Sequence, residues 1–343
     1  MKHLSVTAAI CAAGFAGLAA AGAMADPVPG ASGLRVVASI AGPDGGWDYA
    51  SFDSARRRVY IPHGTRVMVI GADSGKVTQD FAPGDHLHSV IAVPGHGVIV
   101  TTNSGDSSAR ILDGADGKLL ASIPTAKDTD GAVYDPSSGL VLVIDGDSGE
   151  VTLVDPKTRA SPGSITIGDP LEFGAVDGKG RFFVNLVSKN QVAVVDIASR
   201  KVVARYDMPG CVHPTGIAFV EGARLVVACG AGAAKILDAG SGAEIASFKI
   251  GGFPDSVLYD PVRSLAYIPS ALSGTLAVIA LKGAGANTII DTVPTQLGAR
   301  TGAVDPKTGR IWLPTAEYQL PVPAGQRPTP KPGTFHVLVL DRR

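Results

Sequence analysis

Short apolar runs, separated by stretches rich in Asp, Gly, Ser and Pro, recur along most of this chain with a fixed period. Aligned on the residue that closes the first run of each group, the anchors fall at Asp53, Val93, Asp135, Asp177, Val220, Asp260 and Asp305. The steps between them are 40, 42, 42, 43, 40 and 45 residues. In the third repeat the runs are Gly131–Tyr134, Leu140–Ile144, Val151–Val154 and Ile165–Ile167. The first three gaps open with Asp135–Gly139, Asp145–Gly149 and Asp155–Thr158, residues that supply the φ values and local hydrogen bonds a chain reversal needs. Four strands per repeat of about 40 residues, almost without helix, predict an all-β chain: a seven-bladed β-propeller of four-stranded antiparallel blades.

The ends of the chain provide a test of closure. The seventh repeat reaches its third run at Phe335–Leu340 and lacks a fourth. Leu34–Ile40, near the other terminus, resembles the fourth run Leu119–Ile123 of the second repeat, so the N-terminal strand is expected to complete the last blade and cover its open edge. Two segments depart from the period. Gly283–Asn287 lengthens a turn in the sixth blade, and residues 316–333 carry Pro321, Pro323, Pro328, Pro330 and Pro332 between the second and third strands of the seventh. Such proline density gives a stiff extended loop, either a lid or a surface decoration.

Residues 1–25 read as a secretory signal: Lys2, an apolar run from Val6 to Ala21, and Ala23-Met24-Ala25 before Asp26. The expected mature chain, 26–343, is one domain, periplasmic or secreted, with no membrane span after cleavage. It carries 29 Lys and Arg against 31 Asp and Glu, which gives no general attraction for nucleic acid or an anionic membrane. Arg56-Arg57-Arg58 is the only basic run and falls where a hairpin turns, so it is expected to be solvated. Cys211 and Cys229 remain after cleavage, on parts of one repeat that a hairpin brings close; they either pair as a disulfide or stand as two buried thiols. No Cys-x-x-Cys-His occurs, so covalent c-type haem is not expected.

The repeats resemble the YVTN-type, or YncE-like, β-propeller family. Asp53–Pro62, Asp260–Pro269, Val192–Ile197 and the proline-rich run before Phe335–Leu340 carry the likeness, over nearly all of the mature chain. The resemblance implies the fold; related propellers serve as binding modules, as scaffold subunits of periplasmic redox complexes and as enzymes, so it does not choose a function.

The residue five places before each anchor is where chemistry is expected. These positions read Asp48, His88, Asp130, Glu172, Thr215, Asp255 and Arg300. Each opens the innermost strand of a blade and so lies at one mouth of the channel, where the ends of the second strands, His63, Asn103, Asp145, Asn185, Ser270 and Thr315, should join it. Four carboxylates converging with Arg300 as the one permanent cation must raise one another's pKa or recruit a cation. Three solutions follow: water and Arg300 neutralise the ring, a divalent cation occupies it, or the ligand is itself cationic or a polyol. Candidate metal ligands are Asp130, Glu172, Asp255 and His88, for Ca²⁺ through oxygen or for Zn²⁺ with His86, His63 or His213 nearby. Trp47 either stacks on a ligand ring or fills the gap between blades. The leading expectation is a binding protein that takes a small molecule or a periplasmic partner through Asp48, Asp130, Glu172, Asp255, Arg300 and Trp47. The alternatives are a metal-assisted hydrolase or lyase with His88 as general base, and a scaffold subunit of a redox complex.

Overall fold

The computed structural model describes residues 30–319 and 329–342; the expected signal segment and the centre of the proline-rich loop lie outside them. Every regular element among the described residues is a β-strand. The strands form antiparallel meanders, such as Thr129–Asp135, Leu140–Asp145, Glu150–Asp155 and Ala160–Thr166, each paired with the next. The innermost strands of successive repeats contact one another around a closed ring. Leu34–Ala41 pairs antiparallel with His336–Arg342, placing the N-terminal strand at the outer edge of the last sheet.

Hydrogen bonding divides the strands into six sheets, five of four strands and one of six, where seven were expected. The six-stranded sheet, Ser51–Pro124, contains both the first and second repeats. Its cause is Val77–Ala92, which continues without a break from the outer strand of the first repeat into the inner strand of the second. Leu87 pairs with Gly64 on one side and with Asn103 on the other, so one ladder joins both repeats. The apolar packing is divided differently. Among the described residues, seven clusters of buried side chains fill the spaces between consecutive repeats. One of them joins Tyr60, Val67 and Val69 of the first repeat to Val90, Ile99 and Leu112 of the second, within the shared sheet. Burying a Val, Leu or Ile side chain in such a cluster stabilises the fold by roughly 1.5–3 kcal/mol.

The recurring anchor is structural. Asp53 Oδ1 accepts the backbone N–H groups of Ala55 and Arg56 at 2.9 and 3.0 Å, and Asp260 Oδ1 those of Val262 and Arg263 at 3.0 Å each. The carboxylate thus locks the tight turn between the first two strands, which explains why Asp recurs there. Arg56-Arg57-Arg58 is not a merely solvated turn. Arg56 donates to Asp53 and to the Gly97 carbonyl, Arg58 to the Gly114 carbonyl, and Arg57 joins Asp73 to Asp305 across the seam between the first and last repeats.

Cys211 and Cys229 form a disulfide with Cα atoms 5.3 Å apart, tying the loop before one inner strand to the end of its neighbour. Closing this loop, with a sequence separation of 18, restricts the unfolded chain. Replacing both cysteines with serine is expected to lower the unfolding free energy by about 3 kcal/mol. Urea denaturation measures this directly; an unchanged midpoint would contradict it.

Candidate functional site

Two backbone devices place the ring residues. The residue two positions earlier adopts a left-handed conformation in several repeats, with φ of 52° at His86, 64° at Asp128, 53° at His213 and 57° at Phe253. Neighbouring repeats then hold the carbonyls of the ring residues. Thr301 Oγ1 donates to the Asp48 carbonyl at 2.7 Å, the Tyr49 N–H to that of His88 at 2.9 Å, and Asn185 Nδ2 to that of Thr215 at 2.6 Å. The ring is therefore fixed by interblade bonds and not by its own side chains alone.

Around the ring the charges alternate. Asp255 Oδ2 accepts from Arg300 Nε at 2.7 Å, and Arg300 Nη2 lies 3.7 Å from Asp48 Oδ1. Asp48 Oδ2 accepts from His88 Nδ1 at 2.8 Å, and Asp130 Oδ1 lies 3.3 Å from the same nitrogen. The order Asp255, Arg300, Asp48, His88, Asp130 is thus acid, base, acid, base, acid over five successive repeats. These side chains keep only 14–27% of their surface accessible.

Their ionisation follows from this packing. Burial alone would lower the His88 pKa, but hydrogen bonds and charge from Asp130 and Asp48 outweigh it and raise the imidazole to about 10. Burial raises Asp255 to about 7, against the opposing charge of Arg300. Burial raises Asp130 as well, with the His88 contact pulling the other way. Glu172 is raised well above the usual carboxylate range by burial and then by the charges of Asp130 and Asp255. It accepts a hydrogen bond from Tyr49 Oη at 3.0 Å, across the ring, and forms no salt bridge among the described residues. The Tyr49 ring lies against Phe173, with centroids 4.5 Å apart, and this aromatic pair adjoins Glu172.

Asp48, His88, Asp130, Glu172, Asp255 and Arg300 all share this ring. The four candidate metal ligands are not gathered at one point: Asp255 bonds Arg300 and Glu172 bonds Tyr49, while the close set of metal-capable groups among the described residues is Asp48, His88 and Asp130. His88 is also not a free general base. Held between two aspartates it is an imidazolium at neutral pH, the proton donor's form. Trp47 points away from the ring; it is buried against Phe335, with ring centroids 5.2 Å apart, and fills the gap between blades.

The second-strand ends are mostly occupied by neighbouring loops. His63 is buried between the carbonyls of Gly46 and Pro43, Asn103 binds the Asp85 N–H, Asp145 accepts from Thr152, and Thr315 donates to the Leu297 carbonyl. Burial raises Asp145 to about 6, against that hydrogen bond. Asn185 holds the backbone of ring residue Thr215, and the contact to a ring side chain comes from Ser104, outside the expected set and one place beyond Asn103; its Oγ lies 3.1 Å from His88 Nε2 and 2.7 Å from His86 Nδ1. His213 is exposed and stays outside the ring, with its N–H on Asn190. Tyr49 and Ser104 were missed from sequence. Each stands one place after a position already singled out, which was the available signal. The described base of the proline-rich loop lies on this face too: Tyr318 bridges Pro330, and its ring packs against Gly298, two residues before Arg300.

No protein-family model matches the chain, the YVTN-type resemblance included, and no curated protein matches it. Solved structures do. A chain of hydrazine synthase from Kuenenia stuttgartiensis superposes with a TM-score of 0.70 at 15% identity, covering 80% of this chain and 92% of that one. A chain from the crystal structure of a mitotic checkpoint complex gives 0.74 at 12% identity, over 99% and 98% respectively. At such identities the likeness carries the architecture alone: the chain is an all-β propeller of four-stranded antiparallel blades.

Proposed function

We propose that this chain is an exported binding protein of the YVTN type, whose ligand is taken at the mouth formed by Asp48, His88, Asp130, Glu172, Asp255 and Arg300. In this reading it works as a seven-bladed ring, with the first two blades sharing one hydrogen-bonded sheet; the seven interblade clusters support that count. The observation that carries the binding role is the convergence of six ionisable side chains from six repeats on one mouth. Desolvating so many charged groups is costly unless each is paired, and the pairing stops at Glu172.

The test begins with native mass spectrometry of the mature chain purified from its own periplasm, to identify what it retains. The retained species is then expected to raise the melting temperature of the wild type and to have no effect on the Asp130→Asn/Glu172→Gln variant. An undiminished response in that variant would remove the site. A divalent cation is the second reading, favoured by Asp48, His88 and Asp130, whose ligand atoms lie within 4.8 Å of one another; it would take the place of the His88 proton held between the two aspartates. Stabilisation by Zn²⁺ or Ca²⁺, lost in Asp48→Asn, would select it.

A further inference from the structure

The alternation of charge around the ring has one gap. From the sixth repeat through the seventh to the third it runs Asp255, Arg300, Asp48, His88, Asp130. The fourth and fifth repeats contribute Glu172 and Thr215, so the ring position of Thr215 lies between Glu172, which has no cation among the described residues, and Asp255, which has one on its far side only, with Asp130 beyond Glu172. We infer that this gap receives the ammonium group of a small organic amine with an apolar body. The inference rests on the reading of the ring as a ligand site and specifies the ligand's class.

Three independent observations favour an organic ammonium. First, Asn185 is wholly buried at the junction of the same two repeats. Its Nδ2 is committed to the Thr215 carbonyl, and its Oδ1 is a buried acceptor with no donor. A buried acceptor of this kind is costly to leave unpaired, and Asn185 sits against Thr215, the ring position of the gap. Second, the Tyr49 and Phe173 rings adjoin Glu172, and aromatic faces attract an organic cation. Third, the rim of the mouth is apolar on the side of the gap away from the fourth repeat, whose loops carry the Lys189–Asp169 pair. Val212, Phe253, Leu272 and Leu297, from the fifth, sixth and seventh repeats, are 42–63% exposed. Backbone bonds between their loops join them into one arc: Ala231 N–H to Val212, Phe253 to Gly230, Leu272 to Gly252 and Gly298 to Ala271. The opposite rim carries Asp85, Asp106, Lys127 and Asp147 instead. A ligand whose charged head enters the gap therefore finds apolar surface on one side for its body.

The experiment is calorimetric titration of the mature chain at pH 7 with 2-phenylethylamine, 2-phenylethanol as its uncharged counterpart, and CaCl₂. The amine is expected to bind at least tenfold more tightly than the alcohol. Glu172→Gln is expected to weaken it roughly tenfold to a hundredfold, the range of one charge-assisted hydrogen bond. Thr215→Lys places a covalent ammonium in the gap; it is expected to abolish amine binding and to melt at a higher temperature than Thr215→Met, which has similar bulk and no charge. Equal binding of amine and alcohol, or a Thr215→Lys protein that melts no higher than Thr215→Met and does not exclude the amine, would overturn the inference. If CaCl₂ binds while the amine does not, and Asp130→Asn abolishes that binding, the amine is refuted and the ring remains a site. If native mass spectrometry finds no retained species and no probe binds, the ring is not a site at all.

Discussion

Replacing Asp48 with alanine is expected to cost about 3–5 kcal/mol of stability at pH 7, the range for removing one partner from a buried ion pair. Asp48 is the one carboxylate between both cations of the ring, with His88 Nδ1 at 2.8 Å and Arg300 Nη2 at 3.7 Å. Without it Arg300 keeps Asp255, but His88 depends on Asp130 alone, whose carboxylate lies farther away at 3.3 Å. The pKa of His88 should therefore fall from about 10 toward the ordinary imidazole value. A pH series checks the sign. The His88 pKa is raised in the folded state, so its stabilising contribution is complete below about 6.5 and is lost as pH rises through about 10. Wild-type stability should decline across that window, and in Asp48→Ala the decline should shift to lower pH and shrink. A variant as stable as wild type across the series would show that the ring charges are not coupled.

The second large effect concerns the anchor at the seam of the ring. Asp305 is buried and accepts from Lys307 N–H at 2.9 Å, Thr308 Oγ1 at 2.7 Å and Arg57 Nη2 at 2.7 Å. Burial would raise its pKa, but these bonds prevail and hold it at about 2. Asp305→Ala leaves the Lys307 N–H and the Thr308 hydroxyl without their acceptor, while Arg57 keeps Asp73 at 2.7 Å, and is expected to cost about 2–3 kcal/mol. Here the folded pKa is depressed, so the stabilisation is present above about 4 and lost as pH falls toward 2, an acid-side contribution of roughly 2–3 kcal/mol. Urea denaturation of wild type and Asp305→Asn at pH 7, 4 and 2.5 should show curves that converge at the lowest pH. A constant difference would mean that the carboxylate charge is not what matters.

Features specified locally and repeated were legible in the sequence. The Asp anchors, the turn residues and the strand alternation report short-range chemistry, and seven copies made the period plain. The closing strand Leu34–Ala41 was readable because a repeat with an unpaired edge needs a partner. The position of the ring was readable for the same reason. Its wiring was not. That Tyr49 reaches Glu172, 123 residues away, depends on the diameter of the closed ring, which no repeat encodes. His88 looked like a base because a lone histidine gives no sign that Asp48 and Asp130 will both face it. Trp47 stands beside a ring residue in sequence, yet its ring packs onto Phe335 in the gap between the first and last repeats. Fusion of the first two sheets was not legible, because the pairing of Arg66 with Pro83 and of Gly64 with Leu87 joins two repeats that the 40-residue period separates.

The central claim is that the ring is one coupled, charge-alternating unit, and His88 reports on it most directly. NMR titration of the His88 imidazole in the folded chain should find it protonated at pH 7, losing its proton only near pH 10. A titration midpoint near 6.5 or below would contradict the account.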